Sequence, residues 1–193
     1  MRVVHLPDAV TVLVDVVAWG MIHAGTGYAV HRLPVAWLAR DGWLFAERPW
    51  ERGGALYRRT LRIARWKDRL PEAGALFAGG VSKRRLPPAD AGGLDRFVVE
   101  TRRAELGHWL AALPAPLFAL WNPPGVALAM LAYGWGVNLP FIAIQRYNRI
   151  RAGRVLRRSS TSTARSSDRS GPPAADRAAR SRCDRDTSGR SMP

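Results

Sequence analysis

The stretch ETRRAELGHW, Glu100 to Trp109, gathers two carboxylates, two arginines and a histidine, and the 39 residues from Leu106 to Ile144 contain no Lys, Arg, Asp or Glu. On a helix Glu105 and His108 stand three apart and share a face, with Arg102 three before Glu105. A carboxylate that accepts one imidazole N–H fixes the tautomer and raises the basicity of the other nitrogen, which then serves as a general base. Glu100, slightly over two turns before His108, can line the same face. Trp109 sits at the apolar boundary, where an interfacial anchor belongs. The plainer alternative is a charged collar around a buried helix end, with His108 an ordinary interfacial histidine.

A second polar group emerges from the far end of the apolar run, in NLPFIAIQRYNRIR, Asn138 to Arg151. Arg151, Arg154, Arg157 and Arg158 read as snorkelling arginines that stop a membrane segment. Gln145, Tyr147 and Asn148 are less natural in that role. If the chain folds back on itself, this group and ETRRAELGH arrive at one membrane face. Arg103, Arg146 or the Asn148 amide then become candidates to stabilise a tetrahedral oxyanion. Asn138, Gln145 and Tyr147 become candidates to contact substrate. Farther upstream, WKDRLPEAG (Trp66 to Gly74) places Lys67 and Arg69 where they can hold a phosphate or pyrophosphate. There Asp68 can orient one of them or act as a base, and Trp66 adds a ring. Solvated surface is the alternative for this cluster. The basic knot Lys83 to Arg85 follows and can serve the same anion.

These groups need elements to position them, and the hydropathy pattern predicts a mainly α, small integral membrane protein. Residues 9–30 form an apolar run whose only ionisable groups are Asp15 and His23. At about 1.5 Å per residue the run crosses a hydrocarbon core of about 30 Å. A cleaved secretory signal is the competing reading, weakened by an n-region in which a single Arg2 is offset by Asp8. Asp15 is costly in lipid, so it faces a helix partner or stays hydrated near the interface. Residues 105–144 read as an apolar helical hairpin. Its turn lies at WNPPG, Trp121 to Gly125, because Pro-Pro-Gly cannot continue a helix. One arm runs from Glu105 to Trp121, kinked by Pro114 and Pro116, and the other from Val126 to Ile144. Between the membrane segments, 45–103 is a basic cytoplasmic segment. From Trp50 it is expected to form an amphipathic helix lying among lipid headgroups. Together these make a membrane domain over 1–158, and 159–193 lacks the large apolar side chains needed to offset chain entropy, so a disordered basic tail is expected.

The formal charge of +15 suggests an anionic partner, either nucleic acid or the anionic face of a membrane. Residues 31–103 hold 16 Lys/Arg against 8 Asp/Glu, and residues 145–193 hold 13 against 4, while the WNPPG turn is neutral. The positive-inside rule therefore places the basic segment and the tail in the cytoplasm and the turn outside. Charge beside apolar segments fits a cell membrane better than nucleic acid, and no nucleic-acid motif accompanies it. The single cysteine, Cys183, lies in the polar tail, so neither a disulfide framework nor a zinc-type spacing exists.

Four stretches, FAERPWERGGALYRR, IARWKDRLPEAG, ETRRAELGHW and NLPFIAIQRYNRIR, resemble in order and spacing the small membrane glycosyl-4,4'-diaponeurosporenoate acyltransferases. The resemblance covers about 43–155. It implies an O-acyltransferase of carotenoid biosynthesis that esterifies a sugar hydroxyl of a glycosylated carotenoid or other glycolipid. The implied donor is a fatty acyl thioester such as acyl-CoA, used as a co-substrate with no bound cofactor or metal. The HxxxxD pattern of glycerolipid acyltransferases and GxSxG are both missing. With the donor that the resemblance implies, the expected mechanism is direct transfer, with His108 oriented by Glu105 as base and Lys67 and Arg69 on the coenzyme A phosphates. The rival reading is a non-catalytic membrane scaffold or lipid-binding subunit in which the same motifs tie two helix ends together.

Overall fold

A computed structural model describes residues 3–40, 42–70, 87 and 91–169. Among the described residues the chain is helical, without strands. Four α-helices occur: α1 (Asp8–His31), α2 (Val35–Ala39), α3 (Ala91–Ala112) and α4 (Pro124–Arg169). Residues divide into one compact unit, Met1–Arg154, and a second, Val155–Pro193. The first holds all the chemistry considered below.

Helix α1 starts after Pro7, whose carbonyl accepts the Thr11 N–H at 2.9 Å and the Thr11 hydroxyl at 3.2 Å. Asp8 in its first turn complements the positive end of the helix dipole. Thr11, Asp15, Trp19 and Val30 are buried, the first three at four-residue spacing. Val10, Val12, Leu13, Val16, Val17 and Met21 remain exposed. A helix with an apolar outer face and a single inner stripe suits a lipid surround. Both α1 and the Pro124–Ser162 part of α4 are long and apolar enough to cross a membrane.

Helix α4 opens on Pro124, whose missing N–H costs nothing at a helix start. It meets α1 at Gly134, where a Cβ would lie 2.7 Å from both Trp19 Cη2 and Ala115 Cβ. Only a glycine permits that approach. Trp19 also stacks on Phe118 at 4.6 Å and donates its Nε1–H to Met130 Sδ at 3.3 Å. Asp15 faces a protein partner, as one of the two readings required: its Oδ1 accepts from Trp121 Nε1 and Asn122 Nδ2, each at 2.8 Å. The neutral turn is thereby pinned to α1.

Three expectations change. The first arm of the hairpin begins earlier and ends sooner than expected, because α3 runs from Ala91 to Ala112. Pro114 and Pro116 then leave only a 3-10 turn over Ala115–Leu120. α3 is not among the helices long and apolar enough to span. The segment from Trp50 is not one amphipathic helix. It breaks into 3-10 turns at Pro49–Gly54, Ile63–Arg65 and Lys67–Arg69 around a π turn at Leu56–Thr60. Arg52 (φ 48°), Gly53 (φ 60°), Gly54 (φ 79°) and Arg62 (φ 49°) adopt left-handed backbone, which interrupts any helix. Tyr57 and Ile63 turn inward onto Ile144, Tyr147 and Ile150. Finally, α4 continues to Arg169, past the point where the tail was expected to begin. The Lys83–Arg85 knot lies outside the described residues, as does the chain after 169.

Candidate active site

The charged stretch of α3 works in three layers. Arg102 and Arg103 cap other helices. Arg103 Nη1 donates to the carbonyls of Val30 (2.5 Å), His31 (3.2 Å) and Leu33 (3.0 Å) at the end of α1, and its Nε pairs with Glu100 at 3.2 Å. Arg102 Nη1 donates to Leu38, Ala39 and Arg40 at 2.9–3.0 Å around the end of α2. The last carbonyls of a helix have no intrahelical donor, and a cation there also meets the negative end of the dipole. Gly107 lets the helices close, since a Cβ there would stand 3.3 Å from Val30 Cγ2.

Glu105 belongs to a buried charge core. Its Oε1 accepts from Arg146 Nη1 at 2.8 Å and its Oε2 from Arg149 Nη1 at 2.5 Å, with Trp109 Nε1 at 3.4 Å from Oε1. Arg146 Nε also donates to Glu51 Oε1 at 2.8 Å, and its Nη2 reaches Glu51 Oε2 at 3.1 Å. Its remaining donors meet the carbonyls of Leu44 (3.1 Å) and Ala46 (2.9 Å). Glu51 takes two further donors, the Tyr57 hydroxyl and the Arg48 backbone N–H, both at 2.5 Å. Both carboxylates are 0% exposed. Burial pushes Glu51 up, but the Arg146, Tyr57 and Arg48 hydrogen bonds outweigh it and hold the carboxyl below the ordinary carboxylate range. Burial, and then the Glu51 contact, push the Tyr57 phenol above its ordinary value. Two glutamates against two arginines, each hydrogen-bonded, is the composition that lets ions stay buried.

His108 makes a different contact from the one expected. Glu105 sends its oxygens to arginines, and the imidazole is held from α4 instead. His108 Nδ1 lies 2.9 Å from Asn138 Oδ1, and the ring stacks on Phe141 at 4.8 Å and 8°. Asn138 Nδ2 donates to the Gly134 carbonyl at 2.8 Å, which turns its oxygen toward the histidine. An oxygen can only accept, so Nδ1 carries the hydrogen and Nε2 is the basic nitrogen. His108 is half-buried and Asn138 buried.

The other sequence candidates separate from this pair. Arg103 and Arg146 are committed to carbonyls and carboxylates, which fits positioning better than oxyanion binding. Asn148 is 1% exposed, and Gln145 is buried with its Oε1 lacking a partner among the described residues. Tyr147 packs against Tyr57 under Arg151, whose guanidinium lies 5.4 Å from the ring centre. Trp66 donates to the Leu61 carbonyl at 2.9 Å and packs on the Tyr57–Ile144–Ile150 cluster. Lys67 pairs with Asp68 at 2.7 Å, and Arg69 is exposed beside them. Reading the sequence missed Glu51, Tyr57, Arg48 and Arg149. A carboxylate just before Gly53-Gly54 inside an arginine-rich segment was the available signal for Glu51. No group of three metal-ligating side chains occurs among the described residues.

Residues 41–158 match the family model described as glycosyl-4,4'-diaponeurosporenoate acyltransferase. A protein of that name from Staphylococcus haemolyticus (strain JCSC1435) is 32% identical over 133 residues, covering 69% of this chain and 77% of the relative. Another, from Staphylococcus aureus (strain bovine RF122 / ET3-1), is 26% identical over 139 residues, covering 72% and 84%. The Staphylococcus aureus (strain USA300) protein matches to the same extent. No solved structure matches the chain. The Glu51–Glu105–Arg146–Arg149 cluster and the His108–Asn138 pair fall inside the matched span: the chain belongs to the glycosyl-4,4'-diaponeurosporenoate acyltransferase family and is an acyltransferase, an enzyme.

Proposed function

We propose that the protein esterifies a hydroxyl of a glycosylated carotenoid, or of another glycolipid, with a fatty acyl group at the cytoplasmic face of the cell membrane. Its relatives are named for a glycosylated carotenoid acid, and two helices long and apolar enough to cross a membrane suit a lipid-borne acceptor. The observation that carries the mechanism is the 2.9 Å contact of His108 with an Asn138 whose amide is itself anchored. His108 Nε2 removes the proton of the acceptor hydroxyl as that oxygen attacks the acyl carbonyl, then returns the proton to the leaving group. Asn138 holds the tautomer, and Phe141 fixes the plane of the ring.

Glu105, Glu51, Arg146 and Arg149 position α3 against α4 so that this pair forms. Gln145 and Asn148, both buried, belong to the same packed face of α4. Lys67 and Arg69 lie on the basic segment that meets the charged part of the acyl donor. The test is acyl transfer to glycosyl-4,4'-diaponeurosporenoate by purified wild type, His108→Ala and Asn138→Leu. General bases contribute on the order of 10²–10⁴ in rate. His108→Ala is expected to lose at least that lower factor in kcat, and Asn138→Leu about tenfold. Wild-type turnover by a folded His108→Ala protein would sink this mechanism.

A further inference from the structure

The acyl donor's class can be read from depth. Asp15 of α1 is level with Trp121 and Asn122 just before α4, and Val30 of α1 is level with Gly107, beside His108. The helix from Asp15 to Val30 is about 22 Å long, and that from Pro124 to Asn138 about 21 Å, at 1.5 Å per residue. The two rulers agree, so α1 and α4 run side by side. The His108–Asn138 pair therefore sits at the height where α1 ends.

That height is also where the exposed surface changes character. Up to it, exposed side chains are mostly apolar, among them Leu128, Val137 and Leu139 on α4 and Leu110 beside His108 on α3. Beyond it arginines join the exposed set, beside Trp43, Trp50 and Leu61. Tyr57 and Ile63 pack on Ile144, Tyr147 and Ile150, which begin about 9 Å farther along α4. Around those two buried residues Arg58, Arg59, Arg62, Arg65 and Arg69 are exposed. Arg62 holds its place with left-handed backbone, a conformation that an L-residue adopts only when its surroundings impose it. A band of apolar exposure followed by exposed arginine is the profile of a hydrocarbon edge followed by anionic headgroups. At such an edge lie the ester carbonyls of glycerophospholipids, with their phosphates above.

We infer that the acyl donor is an anionic glycerophospholipid of the same bilayer, its phosphate on the exposed arginines and its ester carbonyl at His108. This rests on His108 being the base, and it replaces the thioester that the resemblance implied. The acceptor hydroxyl oxygen bonds to the donor's acyl carbon while His108 Nε2 takes the hydroxyl proton. The bond from acyl carbon to glycerol oxygen then breaks, and the glycerol oxygen leaves with that proton as a lysophospholipid. Nothing else is consumed.

The experiment reconstitutes the full chain in phosphatidylglycerol vesicles with labelled acyl chains and glycosyl-4,4'-diaponeurosporenoate, without thioester. Expected are labelled product and one lysophosphatidylglycerol per turnover. The rate should fall at least tenfold in phosphatidylcholine vesicles and at least tenfold for Arg59→Gln/Arg62→Gln/Arg65→Gln. A second arm uses ether-linked phosphatidylglycerol, which has no ester to give, together with labelled acyl-CoA. If only that arm yields product, and His108→Ala abolishes it, the phospholipid donor is overturned while the base stands. Product at equal rates in phosphatidylglycerol and phosphatidylcholine overturns the arginine assignment. No product from either donor with folded protein overturns donor and base together.

Discussion

Two polar centres lie within one turn of each other on α3 and teach opposite lessons. At Glu105 the groups are charged, fully buried and mutually saturated, with Arg146 and Arg149 on one carboxylate and Arg146, Tyr57 and Arg48 on the other. At His108 a half-buried imidazole is held by the buried Asn138 amide and stacked on Phe141. A closed set of ions holds elements in register but has no capacity left for a reacting atom. An imidazole whose Nδ1 is held by an amide oxygen presents Nε2 as its basic nitrogen. Proximity in sequence therefore does not imply a shared role.

The sharpest way to break the contrast is to remove the cation that both carboxylates share. Arg146→Ala leaves two buried carboxylates short of a partner, and losing one member of a buried ion pair costs about 3–5 kcal/mol. Arg146→Ala should lose most of its thermal stability in detergent, and activity should vanish with the fold. His108→Ala should show the reverse: a kcat at least ~100-fold lower with a melting temperature near wild type. A milder perturbation is Tyr57→Phe. It removes one donor from Glu51 while Arg146 and Arg48 remain, for about 1–2 kcal/mol, read as a lower denaturation midpoint at unchanged KM.

Acid titration gives the smallest effect and tests the sign. Glu51 is held below its ordinary value of 4.5, so its contribution is complete above that pH and is lost as pH falls through the folded value. The stability gap between wild type and Glu51→Gln should stay flat above about pH 5 and narrow below about 4.5. A gap that widens on acidification would contradict the arrangement around Glu51.

Much of this architecture was legible in the residues. The apolar runs, the turn at Pro123-Pro124-Gly125 and the return of the 145–149 group to meet Glu100–Trp109 follow from hydropathy and proline chemistry alone. Helical periodicity also put Glu105 and His108 on neighbouring turns. It could not tell which partner each would take, because that depends on how α3 is rotated against α4. The rotation is set by Gly107 against Val30 and by Arg103 on the α1 carbonyls, contacts more than 70 residues apart in the chain. Glu51 escaped notice for the same reason: Arg146 is 95 residues away, and left-handed turns at Arg52 to Gly54, which no periodicity reveals, bring Tyr57 back to it. The aromatic and arginine residues from Trp50 onward did suggest an amphipathic surface, and the inward Tyr57 and Ile63 with outward arginines realise it without a continuous helix.

The central claim is that Glu105 builds the site and His108 does the chemistry. It is tested most directly by the pH dependence of kcat in Glu105→Gln and His108→Gln, each measured at a temperature where both proteins are folded. Glu105→Gln is expected to keep the wild-type profile and to turn over within about tenfold of wild type, while His108→Gln loses at least ~100-fold together with the rise in rate with pH that a general base produces. A Glu105→Gln protein that is folded but as inactive as His108→Gln would return the carboxylate to the mechanism and contradict the account.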